Sequence, residues 1–253
     1  MTDIRPTSYL LETSNHSTSR IMLDANILIS AFDTNHENHC DALQLIEHIS
    51  LNEGKFFFVQ PCYLEILEYW RRKSISEYIE ERLENNLRVT SRFDQRAREY
   101  LREIGGGNKR GGRYLRDHQI KNLRDLLLQV GGKNKKQKGR NLWLQFCRSS
   151  FEDRLRIINE QIRKMEITFA RFGDSDVYPK HQNLPTWDDM VNLIEKFCLS
   201  SHDAAILNMV AGGKNITGFV TSDSDMIIAA ENGALPREIV CYELSASKKS
   251  KQL

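Results

Sequence analysis

The chain has 253 residues, 40% of them hydrophobic and 28% charged, which is enough apolar material for a buried core and too much for a disordered chain. The formal net charge of +2 hides an uneven distribution: residues 102–148 hold thirteen Lys/Arg against three Asp/Glu, and the remainder of the chain sums to −8. The polar first residues lack an apolar h-region and no run of about eighteen apolar residues occurs, so neither a signal peptide nor a membrane span is predicted.

Residues 1–19 read as an N-terminal extension. Arg-Ile-Met-Leu at 20–23 then predicts a buried strand that ends on Asp24, and the apolar stretch from Asn26 to Ser30 turns into a helix. Leu43, Leu45, Ile46 and Ile49 have helical spacing over 40–50. Phe56-Phe57-Phe58-Val59 predicts a second strand, after which Pro61 opens a helix carrying Leu64, Leu67 and Trp70. Helices follow over 74–86 and 92–104, with a short strand at Leu87 to Thr90 between them. Glycine clusters at 105–107, 111–112 and 131–132 bracket a helix over 114–130, and a long helix covers 141–170. Beyond Gly173, Pro179 and Pro185, helices resume at 187–198 and 202–212, and strands at 218–221 and 239–242.

Apolar strands alternating with helices predict an α/β fold around a central parallel sheet. The sheet domain would comprise 20–104 and 186–243, interrupted by a basic, mainly helical insertion at 105–185 and followed by a tail at 244–253. The five cysteines are scattered and include no Cys-x-x-Cys pair, which argues against a disulfide framework or a zinc ribbon and suggests a reducing, cytoplasmic setting. His36, His39 and Cys40 lack a second distant pair of ligands and read as the start of a helix.

In a parallel sheet, ligands bind beyond the carboxyl ends of the strands. Asp24 ends the first strand, Glu65 lies in the first turns after the second, Asp203 opens a helix behind Ser200 and Ser201, and Asp223 and Asp225 follow the strand ending at Thr221. Crowded carboxylates repel unless a cation neutralises them, and an all-oxygen set suits Mg²⁺ or Mn²⁺. Such a metal activates water for attack on a phosphodiester. Taken singly, each acid has a plainer reading as a turn, cap or helix-dipole residue. Glu68, one turn past Glu65, competes with it, but Glu65 is closer to the strand end. In the basic block, Arg110, Arg113, Arg116, Lys133, Lys135, Lys136 and Lys138 are candidate contacts to a nucleic-acid backbone, with Tyr114 and Trp143 nearby as stacking surfaces.

Four motifs resemble those of the PIN domain family. LDANILIS at 23–30 is similar to its opening motif, VQPCYLEILEYW at 59–70 to its second, SSHDAAILNMVAGG at 200–213 to its third and FVTSDSDM at 219–226 to its last. The resemblance implies a three-layer PIN-like fold and a Mg²⁺- or Mn²⁺-dependent ribonuclease, a family that includes the VapC toxins. It implies metal ligation or metal-water positioning by Asp24, Glu65, Asp203 and Asp223, with Asp225 auxiliary, Asn26 supporting Asp24 and Thr221 shaping the turn. A toxin or defence role, an antitoxin-like or effector-complex partner and a homodimer fit the same likeness. The large insertion departs from compact VapC toxins. A DNA nuclease with the same site and a non-catalytic RNA- or protein-binding module stay open as alternatives. A haloacid-type phosphatase is set aside, because Asn26 stands where that chemistry requires a second Asp.

Overall fold

A computed structural model describes residues 2–13, 15–85, 87, 91–106, 114–129, 133–173, 177–179 and 186–244. In chain order the elements are β1 (Ile4–Pro6), α1 (Ser8–Glu12), β2 (Arg20–Leu23), α2 (Ala25–Phe32), α3 (His39–Leu51), β3 (Lys55–Phe58) and α4 (Gln60–Glu84). There follow α5 (Ser91–Gly106), α6 (Asp117–Leu128), α7 (Lys133–Lys164), β4 (Thr168–Phe169), α8 (Trp187–Phe197), α9 (Ser201–Gly212), β5 (Gly218–Thr221), α10 (Ser224–Ala229) and β6 (Val240–Glu243).

The six strands form one parallel sheet in the order β1-β6-β5-β2-β3-β4. The inner strands explain their own position. Ile21, Met22 and Leu23 in β2, Phe56, Phe57 and Phe58 in β3, and all four residues of β5 are buried, as strands covered on both faces must be. Helix α2 is buried from Ile27 to Phe32 as well as at Ala25, so the first helix after β2 lies inside the core and not on its surface. The chain divides into two compact units, residues 1–66 with 160–253, and residues 67–159. The first contains the whole sheet. The second is helical, with a core of Ile75, Ile79, Phe93, Ala97, Leu115, Ile120, Leu123 and Leu127.

Several boundaries differ from the sequence reading. Residues 1–19 are not a mere extension. Ile4 pairs with Cys241 and Arg5 with Tyr242, the Thr2 hydroxyl donates to the Leu235 carbonyl at 3.0 Å, and His16 is buried. Pro6 is tolerated because β1 is an edge strand. Residues 168–169, placed by sequence in a helix of the insertion, form the opposite edge strand. Helix α7 ends at Lys164, and Glu166 adopts a positive φ of 54° before β4 begins. The helices expected from Pro61 and over 74–86 are the single helix α4. Leu87 is not in a strand, and 88–90 lie outside the described residues. Leu244, assigned to the tail, is buried and its N–H donates to Thr221 at 2.9 Å. Among the described residues no helix is long and apolar enough to cross a membrane.

Candidate active site

The parallel arrangement puts the carboxyl ends of β2, β3 and β5 side by side, with β2 in the middle. Asp24 is the first residue beyond β2 and continues the ladder, its N–H donating to the Val220 carbonyl at 3.0 Å. Its side chain is therefore fixed at the sheet edge. One carboxylate oxygen accepts from the Ala25 N–H at 2.6 Å, which caps α2. The other accepts from the Thr221 hydroxyl at 2.7 Å. Thr221, fully buried at the end of β5, in turn accepts from the Asp223 N–H at 3.0 Å. Backbone amide, hydroxyl and carboxylate thus form a relay that ties the two strand ends together.

Asp24 is only 3% exposed, and its carboxyl is pushed up to about 7. Burial is the dominant cause. The bond from Thr221 opposes it, the charge of Glu65 adds to it, the Ala25 N–H opposes it, and the charge of Asp223 adds again. Glu65, in α4 after β3, and Asp223, just beyond β5, therefore both repel Asp24. Beneath them Cys62, in the first turn of α4, donates its thiol to the Leu23 carbonyl at 3.6 Å. Burial and then the Asp24 charge raise that thiol well above its ordinary range, so it is a packing group and not a nucleophile. Glu68, the competitor to Glu65, is held by Arg71 at 2.8 and 2.5 Å.

The remaining acids stand differently. Asp203 bonds Ser200 reciprocally: the Ser200 hydroxyl donates to its carboxylate at 2.6 Å and accepts from its N–H at 3.2 Å. That is a cap for α9, and Asp203 is not among the charges acting most on Asp24. Asp225 is exposed, and its N–H donates to the Asp223 carboxylate at 2.8 Å, which also receives Met226 at 3.3 Å as the cap of α10. Asn26 is half-buried, and its amide oxygen is buried without a hydrogen-bond partner. His39 donates to the Ser30 carbonyl at 3.1 Å at the start of α3, in keeping with a helix-start role.

A divalent cation fits this edge by donor type. The acids offer hard oxygens, Asp24 is strained by like charge, and the Asn26 oxygen lacks a partner. Among the described residues, however, no three His, Cys, Asp or Glu groups already converge on one coordination shell. The open pocket on α7, lined by Asn141, Leu144, Gln145, Arg148, Glu152 and Asp153, contains none of these acids.

Of the basic candidates, Arg116 is exposed at the start of α6, where its N–H donates to the Gln119 side chain at 2.8 Å. Arg110 and Arg113 lie outside the described residues. Lys133, Lys135, Lys136 and Lys138 fall on the first turns of α7, and their side chains are likewise outside them. Tyr114 packs edge-on against Tyr69 at 5.6 Å, and Trp143 packs on the core of the helical unit. No protein-family model matches the chain, and neither the curated proteins nor the solved structures give a match.

Proposed function

We propose that the chain is a Mg²⁺- or Mn²⁺-dependent endoribonuclease of PIN type, with Asp24, Glu65 and Asp223 at the centre of its site. The observation that carries the reading is the buried Asp24 carboxylate, held from two sides at the sheet edge and repelled there by Glu65 and Asp223. A protein gains nothing in stability by burying an acid within reach of two like charges. Such an arrangement is the mark of a functional site.

Asp24, Glu65 and Asp223 would hold the cation, which supplies charge neutralisation and an activated water for hydrolysis of a phosphodiester. Thr221 and Ala25 each use one lone pair of Asp24 and leave its second lone pairs for a ligand. The same two bonds stop the carboxylate from rotating away. Asp203 and Asp225 stand at the margin; Asp203 would join the site by releasing its bond to Ser200. The basic stretch at 102–148 supports a nucleic-acid substrate by charge. A toxin or defence effector, restrained by an antitoxin-like partner, is the setting that matches this reading.

The test is the purified full chain with Mn²⁺ against labelled RNA and DNA of one sequence. RNA should be cut and Asp24→Asn should abolish the cutting while circular dichroism stays unchanged. Cleavage of DNA alone would move the substrate to the other backbone, and full activity in Asp24→Asn would overturn the site. Binding of RNA without cleavage by the wild type under any divalent metal would point to a binding module.

A further inference from the structure

Helix α8 has the residue pattern of a core helix and the burial of a surface one. Trp187, Met190, Val191, Leu193, Ile194 and Phe197 recur at helical spacing on one side, with the charged residues and Asn192 on the other. None of its 11 residues is buried, although α8 packs on α9, where Ala204, Ile206, Leu207 and Val210 are. Trp187 is 72% exposed. The helix is nevertheless firmly started. The Thr186 hydroxyl accepts from the Asp189 N–H at 3.2 Å, and the Thr186 N–H donates to the Asp189 carboxylate at 3.0 Å. Asn208 of α9 donates to the Thr186 carbonyl at 2.9 Å. The apolar stripe is therefore a formed surface and not a frayed end.

Its sequence, Trp-Asp-Asp-Met-Val-Asn-Leu-Ile-Glu-Lys-Phe, reads almost the same in residue type from either end. An aromatic stands at each terminus, an aliphatic pair on each side of Asn192, and two charged residues between. At about 100° per residue, the apolar stripe is centred opposite Asn192 and is symmetric about that line. Such a face is complementary to itself. A second α8 laid antiparallel about a two-fold axis sets Trp187 against Phe197, Met190 against Ile194 and Val191 against Leu193. It also sets the acidic first turn of one α8 beside Lys196 in the last turn of the other. Lys196 leans towards this face, its Nζ 4.9 Å from the Phe197 ring centroid, which brings it to Asp188 of the second copy. Asp189 and Glu195 match unfavourably, but they lie on the flanks, and Asp189 is turned to Thr186, whose hydroxyl donates to it at 2.6 Å.

An aromatic side chain can bury about 150–250 Å², so two aromatics partly covered by α9, with four aliphatic residues, offer roughly several hundred Å² per copy. A standard interface takes about 800 Å² per partner, and weaker ones take less. We propose that α8 is the docking surface for a second copy of this chain, paired antiparallel about Asn192 in a weak, concentration-dependent dimer. Dimerisation through α8 does not depend on nuclease chemistry. Buried Leu199 joins α8 to the Ser200–Asp203 cap, so the docking surface and the outlying acid of the candidate site share one helical hairpin.

The test is sedimentation velocity of the full chain from about 1 µM to a few hundred µM. The wild type should move from the 29.4 kDa monomer towards twice that mass as concentration rises. Ile194→Lys and, separately, Trp187→Ser should stay monomeric throughout, with unchanged circular dichroism. Asp188→Lys and Lys196→Asp should each weaken the dimer by about fivefold, and the double exchange should restore it, because the two charges meet only in the antiparallel pairing. Leu51→Lys, at an 83% exposed position on α3, is the control and should dimerise like the parent. A wild type that stays monomeric across the range would overturn the proposal, as would a dimer that persists in both Ile194→Lys and Trp187→Ser. A double exchange that fails to restore the dimer would overturn the antiparallel pairing.

Discussion

The Asp24 carboxyl at about 7 has a consequence for stability as well as chemistry. Its folded value lies well above that of an ordinary aspartate, so the folded state holds the proton more tightly than the unfolded chain. Folding is therefore undisturbed by Asp24 below about pH 4. It is progressively weakened as pH rises, and the full penalty is present above about 7. The shift corresponds to a destabilisation on the order of 4 kcal/mol. In the metal-free protein, Asp24→Asn should accordingly raise the melting temperature at pH 8 and have little effect at pH 4. A difference that does not grow across that window would contradict burial as the cause. Mn²⁺ should stabilise the wild type and leave Asp24→Asn almost unaffected. Thr221→Val tests the relay from the other side. It leaves the half-buried Asp223 N–H and one buried Asp24 oxygen without their partner, for an expected loss of about 1–3 kcal/mol in denaturant unfolding, while Thr221→Ser should retain most of the stability. At this scale the sequence was informative about where Asp24 and Asp223 stand, because an acid within two residues of the end of an apolar strand has a fixed address. It was uninformative about Asp203, where the same Ser-x-x-Asp spacing describes a helix cap, and the cap is what forms.

At the scale of elements, close packing falls on glycines. A Cβ on Gly139 would stand 2.2 Å from the Leu127 carbonyl, a backbone atom that cannot rotate away, so α6 and α7 meet there through bare backbone. Gly139→Ala should separate the two helices and destabilise the helical unit by about 1–3 kcal/mol, read as an earlier unfolding transition. A Cβ on Gly218 would meet the Tyr242 ring at 2.8 Å, a milder conflict because a side chain can shift. The inner strands were legible from composition, since a run such as Phe56-Phe57-Phe58 has no other place to go. The edge strands were not. β1 contains a charge and a proline within three residues, and β4 has two residues and follows a long helix without a glycine or proline between them. Neither carries a period that distinguishes it from loop, and both are strands only because a neighbour offers its hydrogen bonds.

For the whole molecule, the first strand of the chain pairs with the last, Ile4 with Cys241. Removing residues 1–13 would take away β1 and α1 and expose the β6 edge. Such a truncation should lower the melting temperature and favour self-association, seen as a shift to earlier elution with rising concentration. A monodisperse truncated chain of unchanged stability would mean that β1 is dispensable. The bond from Thr221 to Asp24 spans 197 positions, so the feature that organises the candidate site is also among the most distant in the chain. Contacts of that separation form late. On a ribosome, β2 emerges early and waits, with Asp24 unpaired, through synthesis of the entire helical unit until β5 leaves the exit tunnel. The carboxylate cluster can therefore assemble only after the helical unit and β5 have both been made.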